Sequence, residues 1–380
     1  MPDPQSPAPR RTPLDAVHHD LGATMTDFAG WLMPLRYGSE TAEHKAVRTA
    51  AGLFDLSHMG ELLVTGDGAP AALDYALVGQ ASAIAPGRAR YTMICAPDGG
   101  VIDDLIVYRL ADTDYLVVAN ASNAATVAAA LAERVAGRGA AVADRTADYA
   151  LIAIQGPRSA GILARVTSTD LDQVRYYASY PATVAGSGAL LARTGYTGED
   201  GFEVFADPRD AVRVWQALTE AGAGDGLVPA GLAARDSLRL EAGMPLYGNE
   251  LGRDVTPFDA GLGRVVKLDK PGDFVGRAAL AERASADPQR ELVGLIGQTR
   301  RVLRHGYQVL WDGEPCGVVT SGVPSPTLGR PIAMAYLTAK AAAQARSAGD
   351  GQGRLAVDVR GSAEPAVLVP LPFYRRPAGN

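Results

Sequence analysis

The stretch GGVIDDLIVY, residues 99–108, decides how the rest of the chain is read. Its glycines open a turn and the alternation after them is that of a β-strand, yet two adjacent aspartates interrupt an otherwise apolar run. Burying an unpaired carboxylate is expensive, so a sequence that needed only a strand has no use for one here. Strict alternation groups Asp103 with Val101, Leu105 and Val107, and Asp104 with Ile102, Ile106 and Tyr108. The two carboxylates are therefore expected on opposite faces, which excludes a shared-proton dyad of the aspartic-protease kind. One is a site candidate, the other structural or solvated. A turn at Gly99 and Gly100 whose amides satisfy both remains open as an alternative.

Comparable strands flank this one: ELLVTG (61–66), DYLVVAN (114–120), YALIAIQG (149–156), ALLARTGY (189–196) and GFEVFA (201–206). Helical stretches fall between them. SETAEHKAVRTAAG (39–52) has Ser39 as N-cap and Gly52 as its stop, and NAATVAAALAERVAG (123–137) repeats that grammar. In PRDAVRVWQALTEAG (208–222), Val212, Trp215 and Leu218 fall along one side. Strands alternating with such helices predict two ferredoxin-like βαβ units over residues 13–264. After KLDKPGDFVGR (267–277) the character changes to short strands broken by Gly, Pro and Asp, among them LVGLIG, YQVLWDGEPCGVVTSG, IAMAYL and LAVDVRG. This predicts a β-barrel or sandwich over 265–380. The Pro-rich residues 1–12 read as a disordered tail.

Composition narrows the function classes. With 47% hydrophobic and 21% charged residues in 380, the chain can bury two or three cores. A net charge of -6 and the absence of a basic run argue against nucleic acid, since RVLRH (301–305) is too short to count. No apolar run is long enough to span a membrane, and the N-terminus lacks the apolar segment of a signal peptide. Two isolated cysteines, Cys95 and Cys316, build neither a disulfide framework nor a CxxC site, which suggests the cytoplasm. His18, His19, His44, His58 and His305 show no metal-ligand spacing, so no metal is expected, and most read as surface or helix residues.

Two further stretches carry chemistry. TGYTGEDGFEVF (194–205) is a Gly-rich connection without dinucleotide spacing or a following helix. Beyond it Glu203 points away from Phe202 and Val204, either into solvent or toward a flat heterocycle whose adjacent N–H groups one carboxylate can accept together. GLAARDSLRLEAGMPLYG (231–248) contains a helix over about 229–243, in which Asp236 pairs with Arg239 at i,i+3 on an exposed face. Arg235 is left without a partner and suits an anionic ligand.

Together these stretches resemble the aminomethyltransferase, or T-protein, family of the glycine cleavage system. DFAGWLMPLRYG, AGLFDLSHMGE, GGVIDDLIVY, ALIAIQGP, TGYTGEDGFE, GLAARDSLRLEAGMPLYGNE, DFVGRAAL and VTSGVPSPTLG stand in that family's order across roughly residues 12–376. The resemblance implies an α+β fold, a three-lobed cloverleaf of two intertwined ferredoxin-like lobes and a C-terminal β-barrel around a folate pocket. It implies a reaction in which the lipoylated H-protein delivers an aminomethyl group, ammonia leaves, and tetrahydrofolate takes the one-carbon unit. It assigns Asp104 as the catalytic carboxylate, Glu203 as the pterin-binding glutamate, and Tyr196 and Arg235 as folate contacts. Tyr91, Tyr176 and Asn120 join these as expected contacts, and Arg375 or Arg376 as the cation for the folate tail. Two other readings share the fold. A folate-binding maturation protein typically carries a Cys motif where this chain has TGYTGEDGFE. A tetrahydrofolate-dependent demethylase keeps the pocket and changes the donor.

Overall fold

The structure, a computed structural model, describes residues 8–377. The aspartate strand Val101–Arg109 lies second in a five-stranded sheet, between Ala89–Cys95 at one edge and Asp114–Ala119, Gly60–Thr65 and Ala141–Asp144 on the other side. Omitting the edge strand Ala89–Cys95 leaves the order of a ferredoxin-like lobe, with helices Ala69–Ala76 and Ala124–Val135 packed on one face through Leu73, Val127 and Leu131.

The second sheet has six strands, in the order Ser179–Val184, Ser187–Ala192, Gly201–Ala206, Ala150–Gln155, Ala51–Asp55, Leu227–Pro229. Ala51–Asp55 precedes the whole first lobe in sequence, yet it lies antiparallel to Ala150–Gln155 and parallel to Leu227–Pro229. All five of its residues are buried, which suits a central strand. This strand interleaves the two lobes.

The helix before it, Glu40–Thr49, is capped by Ser39, whose hydroxyl accepts the Ala42 N–H at 3.3 Å. Gly52 is not its stop. It belongs to the following strand, where a Cβ would lie 2.4 Å from the Val47 side chain, so a glycine lets helix and strand pack closely. In helix Ala211–Gly222 the buried stripe is Ala211, Val214, Trp215 and Leu218, spaced i, i+3, i+4, i+7, while Val212 faces solvent.

The sheet faces not covered by these helices meet each other. Tyr108, Leu116 and Val118 of the first sheet pack against Phe54, Leu151, Ala153 and Phe205 of the second. The third lobe is a closed six-stranded barrel that begins at Arg290–Gly297 and ends at Ser362–Val369, filled by Leu295, Val309, Val319, Leu337 and Val357. The fold is thus α+β with three lobes. Among the described residues no helix is long and apolar enough to cross a membrane.

The expected tail over 1–12 is shorter in its described part. Residues 1–7 lie outside the described residues, but Arg10 and Arg11 pair with Trp31 and Leu32, and Thr12 is buried. These residues edge a sheet that the sequence reading did not include, the hairpin Thr24–Phe28 and Trp31–Arg36. Its two-residue turn has Ala29 at φ 53° and Gly30 at φ 77°, the left-handed pair that matches strand twist.

The barrel docks on the helix Leu232–Glu241 through a buried carboxylate. Glu241 accepts the Ser325 and Thr327 hydroxyls at 2.5 and 2.8 Å, the Thr327 N–H at 3.1 Å and Arg48 Nη2 at 2.9 Å, and His44 Nε2 lies 3.1 Å away. The His44 and Ser325 hydrogen bonds and the Arg48 charge outweigh burial and hold its pKa near about 2. Because that value lies below the ordinary 4.5, the contribution is complete above pH about 4.5 and is lost as pH falls toward 2. Replacing Glu241 with Ala removes the acceptor of the Ser325 and Thr327 donors, leaves Arg48 with Glu199 as its remaining ion pair, and is expected to lower stability by about 3 kcal/mol, read from the urea midpoint at pH 7. A midpoint equal to wild type would contradict this role.

Candidate active site

A cavity of about 820 Å³ opens at the margin of the seam between the two sheets. Asp104, Ile106 and Tyr108 reach it from one face of Val101–Arg109, and Glu203 reaches it from Gly201–Ala206. Here alternation holds: Phe202 and Val204 point into the helix-covered core, whereas Glu203 and Phe205 face the first sheet.

Near the turn, alternation fails. Cys95 pairs with Val101 but Ile94 pairs with Asp103, so Ile102 is an extra residue in a β-bulge. Ile102 packs with Leu105 and Val107 in one core, while Val101 joins another. The bulge exchanges the expected faces of Val101 and Ile102 but not those of the aspartates: Asp104 keeps the cavity face with Ile106 and Tyr108, while Leu105 and Val107, grouped with Asp103, pack in the helix-covered core. The two carboxylates are nevertheless joined, since the Asn120 side-chain amide donates to Asp103 Oδ1 and to Asp104 Oδ1, each at 2.8 Å. Asp103 accepts the Asn120 N–H and the Asn123 amide as well, and Asp104 Oδ2 accepts the Tyr91 hydroxyl at 3.1 Å. Burial raises the pKa of both; at Asp103, where the Asp104 charge adds to it, the value reaches about 7. Asp104 lines the cavity, and Asp103 lies behind it with no exposed surface.

Glu203 is held on one oxygen only. Its Oε2 accepts Tyr108 Oη at 3.2 Å and the Thr194 hydroxyl, while Oε1 has no protein partner among the described residues. Arg235 lines the same cavity with its guanidinium 4.7 Å from the Tyr196 ring centroid and no ion pair or hydrogen bond among the described residues. Tyr196 is anchored through its hydroxyl to the Pro245 carbonyl.

The structure therefore brings Asp104, Glu203, Arg235, Tyr196, Tyr91 and Asn120 to one cavity. Tyr176 and Arg375 are not on its wall. Tyr176 is half-exposed against Tyr177, which does line it, and Arg376 rather than Arg375 stacks on the Tyr176 ring at 5.6 Å. Arg375 is exposed. The bland reading of Arg239 also changes. It pairs with Asp236 at 2.8 Å, but it is buried, bonding Glu250 and Ser321 at 2.9 and 2.7 Å, because the barrel covers that side of the helix.

Three of the histidines expected as surface or helix residues are buried: His18 and His44, which do lie on helices, and His58, which does not. His18 lies between Asp55 at 2.9 Å and Tyr37 at 2.8 Å, and Asp55 in turn accepts the Ser57 N–H, which braces the turn carrying His58. His58 lines the cavity, with Nδ1 unpartnered. Its place beside the apolar Leu56 in LFDLSHMG was the available signal. Tyr108 and Thr194, which hold Glu203, were also missed, since only the fold brings 108 and 194 together.

Two family models match the chain: the GCVT N-terminal domain over residues 14–270, and the glycine cleavage T-protein C-terminal barrel domain over 290–375. The chain belongs to the glycine cleavage T-protein family. It is 65% identical to the aminomethyltransferase of Streptomyces avermitilis across 98% of the chain and 99% of that protein. It is 64% identical to that of Streptomyces coelicolor across 97% and 98%. The crystal structure of the glycine cleavage system aminomethyltransferase T from Bartonella henselae superposes with a TM-score of 0.88 at 35% identity, covering 97% of this chain and 98% of that one. No cluster of three or more His, Cys, Asp or Glu able to hold a metal occurs among the described residues.

Burial, with the Arg235 charge beside it, lowers the His58 pKa to about 4, against an ordinary 6.5. This family member is therefore expected to keep His58 neutral at working pH. In a proton–carbon correlation spectrum its Cε1 signal should titrate near pH 4, and a midpoint near 6.5 would contradict the burial.

Proposed function

We propose that this cavity takes tetrahydrofolate and an aminomethyl group carried on the lipoyl arm of an H-protein, and that the chain is the aminomethyltransferase of a glycine cleavage system. Its two free cysteines fit a reducing cytoplasm. One observation carries the reading. A carboxylate with one free oxygen among the described residues, Glu203, shares a single cavity with the half-buried, hydrogen-bonded Asp104 and with Arg235, which has no ion pair among those residues.

A pterin edge offers a ring N–H beside an exocyclic amino group. Glu203 fits that edge with Oε1 open, and Tyr108 and Thr194 fix its plane, so the ring orientation follows from the strand. Tyr196 and Tyr91 supply flat walls for the ring. Arg235 meets polar atoms inside the cavity. Arg376, beside the exposed Tyr176, is better placed than Arg375 for a folate's acidic tail.

When bound, tetrahydrofolate supplies the nucleophilic nitrogen that takes the one-carbon unit. Asp104 holds the donor's amine in line for that transfer. As the carbon–nitrogen bond breaks, its electron pair leaves with ammonia and positive charge develops on the carbon; one folate nitrogen bonds that carbon, a second displaces the lipoyl sulfur as the carbon–sulfur bond breaks, and the two protons the folate nitrogens lose go to the thiol and to ammonia. The Asp104 carboxylate, fixed by Asn120 and Tyr91, stabilises that charge without having to reorganise.

The test is ammonia release from aminomethylated H-protein. The chain should release it much faster once tetrahydrofolate is added, and a rate independent of folate would overturn the proposal. Asp104→Asn should lower kcat about 100- to 1,000-fold while folate affinity stays close to wild type. Glu203→Ala should instead weaken folate binding about 10- to 100-fold, the range of a hydrogen-bonded pair to a charged group. Turnover of sarcosine or dimethylglycine in place of the H-protein donor would favour the demethylase reading.

A further inference from the structure

The reaction described above leaves Asp103 without a task, although its environment is the more unusual of the two aspartates. It has no exposed surface, and its three donors are Asn120 N–H at 2.9 Å and the side-chain amides of Asn120 and Asn123, both at 2.8 Å. No cation contacts it among the described residues. The ionisable groups facing it are Asp104 on its own strand and Tyr247 from the loop across the cavity.

What Asp103 does is visible at Asn120. The Asn120 amide nitrogen also donates to Asp104 Oδ1 at 2.8 Å, so its hydrogens are directed at two carboxylates. Turning the amide over would set its carbonyl oxygen against both anions, which low-dielectric surroundings make strongly unfavourable. The oxygen must therefore face away from them. Asn120 lies on the cavity wall, and this Oδ1 has no protein donor among the described residues.

We propose that Asp103 is a positioning residue, locking the Asn120 amide so that its carbonyl oxygen stands in the cavity beside Asp104, where the two make an acceptor-only corner for the amine of the aminomethyl donor. The inference rests on the aminomethyl-transfer reading of the cavity. A protonated amine presents three N–H donors and no lone pair, and departing ammonia keeps three N–H groups. A corner of oxygen acceptors suits both states. An amide free to turn would present N–H groups to the same place and repel the substrate. Asp104 offers the amide one oxygen, Oδ1, while its Oδ2 takes the Tyr91 hydroxyl, so Asp103 supplies the second acceptor the amide's hydrogens need.

The arrangement opposes stability, which separates positioning from a structural role. Burial and the Asp104 charge place the folded-state pKa of Asp103 at about 7, above its ordinary 3.8. Folding therefore favours the protonated form, and this group's contribution falls as pH rises from about 4 to 7. At pH 8 the carboxylate is retained at a loss to the fold.

The experiment is Asp103→Asn at pH 8, with folate-dependent ammonia release, tetrahydrofolate affinity and thermal midpoint measured on the same preparations. An asparagine there keeps one acceptor oxygen and puts an NH2 in place of the other, so one of the two Asn120 donors faces a donor and the lock is weakened. The expected result is a kcat about 10- to 100-fold lower, a folate Kd within about threefold of wild type, and a melting temperature unchanged or raised. A kcat equal to wild type would overturn the inference, as would a kcat loss accompanied by a lower melting temperature. Wild-type protein that shows no folate-dependent release would overturn the proposed function itself, and with it the inference.

Discussion

Tyr108 stands in the seam where the two sheets meet, its ring edge-on to Phe205 at 5.7 Å and its hydroxyl on Thr194 and Glu203. The arrangement of the site depends on that contact. Asp104 is four residues before Tyr108 on the same strand face, and Glu203 is two residues before Phe205 on the facing strand. Packing of Tyr108, Leu116 and Val118 against Phe54, Leu151 and Phe205 therefore fixes the separation between the two carboxylates. Both sit on strands rather than loops, and rigid elements hold reacting groups more accurately.

Most of the architecture was legible because period-2 patterns and turn residues state it locally. GFEVFA read as a strand with Glu203 turned away from Phe202 and Val204, and that is how it lies. The two aspartates were legible as an anomaly, and Asp104 shares a face with Ile106 and Tyr108 as alternation predicts, but the amide that joins the pair was not legible. Neither was the bulge at Ile102, which exchanges Val101 and Ile102, since nothing in VIDD distinguishes a bulged from a regular alternation. Asn120 was named without its task, since the bridge it makes joins residues on two strands. Gly52 misled for a related reason: a glycine that ends a helix and one that admits a neighbouring side chain look alike in sequence. Arg239 read as exposed, and the burial of His18 and His44 on their helices could not be read, because their partners, Glu250, Asp55 and Glu241, come from other segments.

Charged groups in this interior fall into two kinds. Glu241 and Arg239 are surrounded by opposite charge and donors, and they clamp the barrel to the first two lobes. The chain then leaves the barrel and returns, with the Tyr374 N–H on the Glu241 carbonyl and its ring under Arg48 at 4.0 Å, which carries Arg376 toward the cavity side. The carboxyls of Asp103 and Asp104 and the imidazole of His58 have no such compensation, and burial shifts each toward its neutral form. Asp104 and His58 line the cavity and Asp103 lies behind Asp104, while Glu241 and Arg239 hold the lobes together; burial opposes ionisation elsewhere too, at Glu61 and Lys270. Perturbation without a compensating partner is the expected mark of a working site.

The central claim is that one cavity orients a reduced pterin between Glu203 and Asp104. A crystal structure of the chain with tetrahydrofolate tests it most directly. The account predicts the pterin's ring N–H and exocyclic amine on Glu203, with Asp104 and Asn120 Oδ1 bordering the nitrogens that accept the one-carbon unit. A pterin seated elsewhere, with Glu203 Oε1 facing only water, would contradict it.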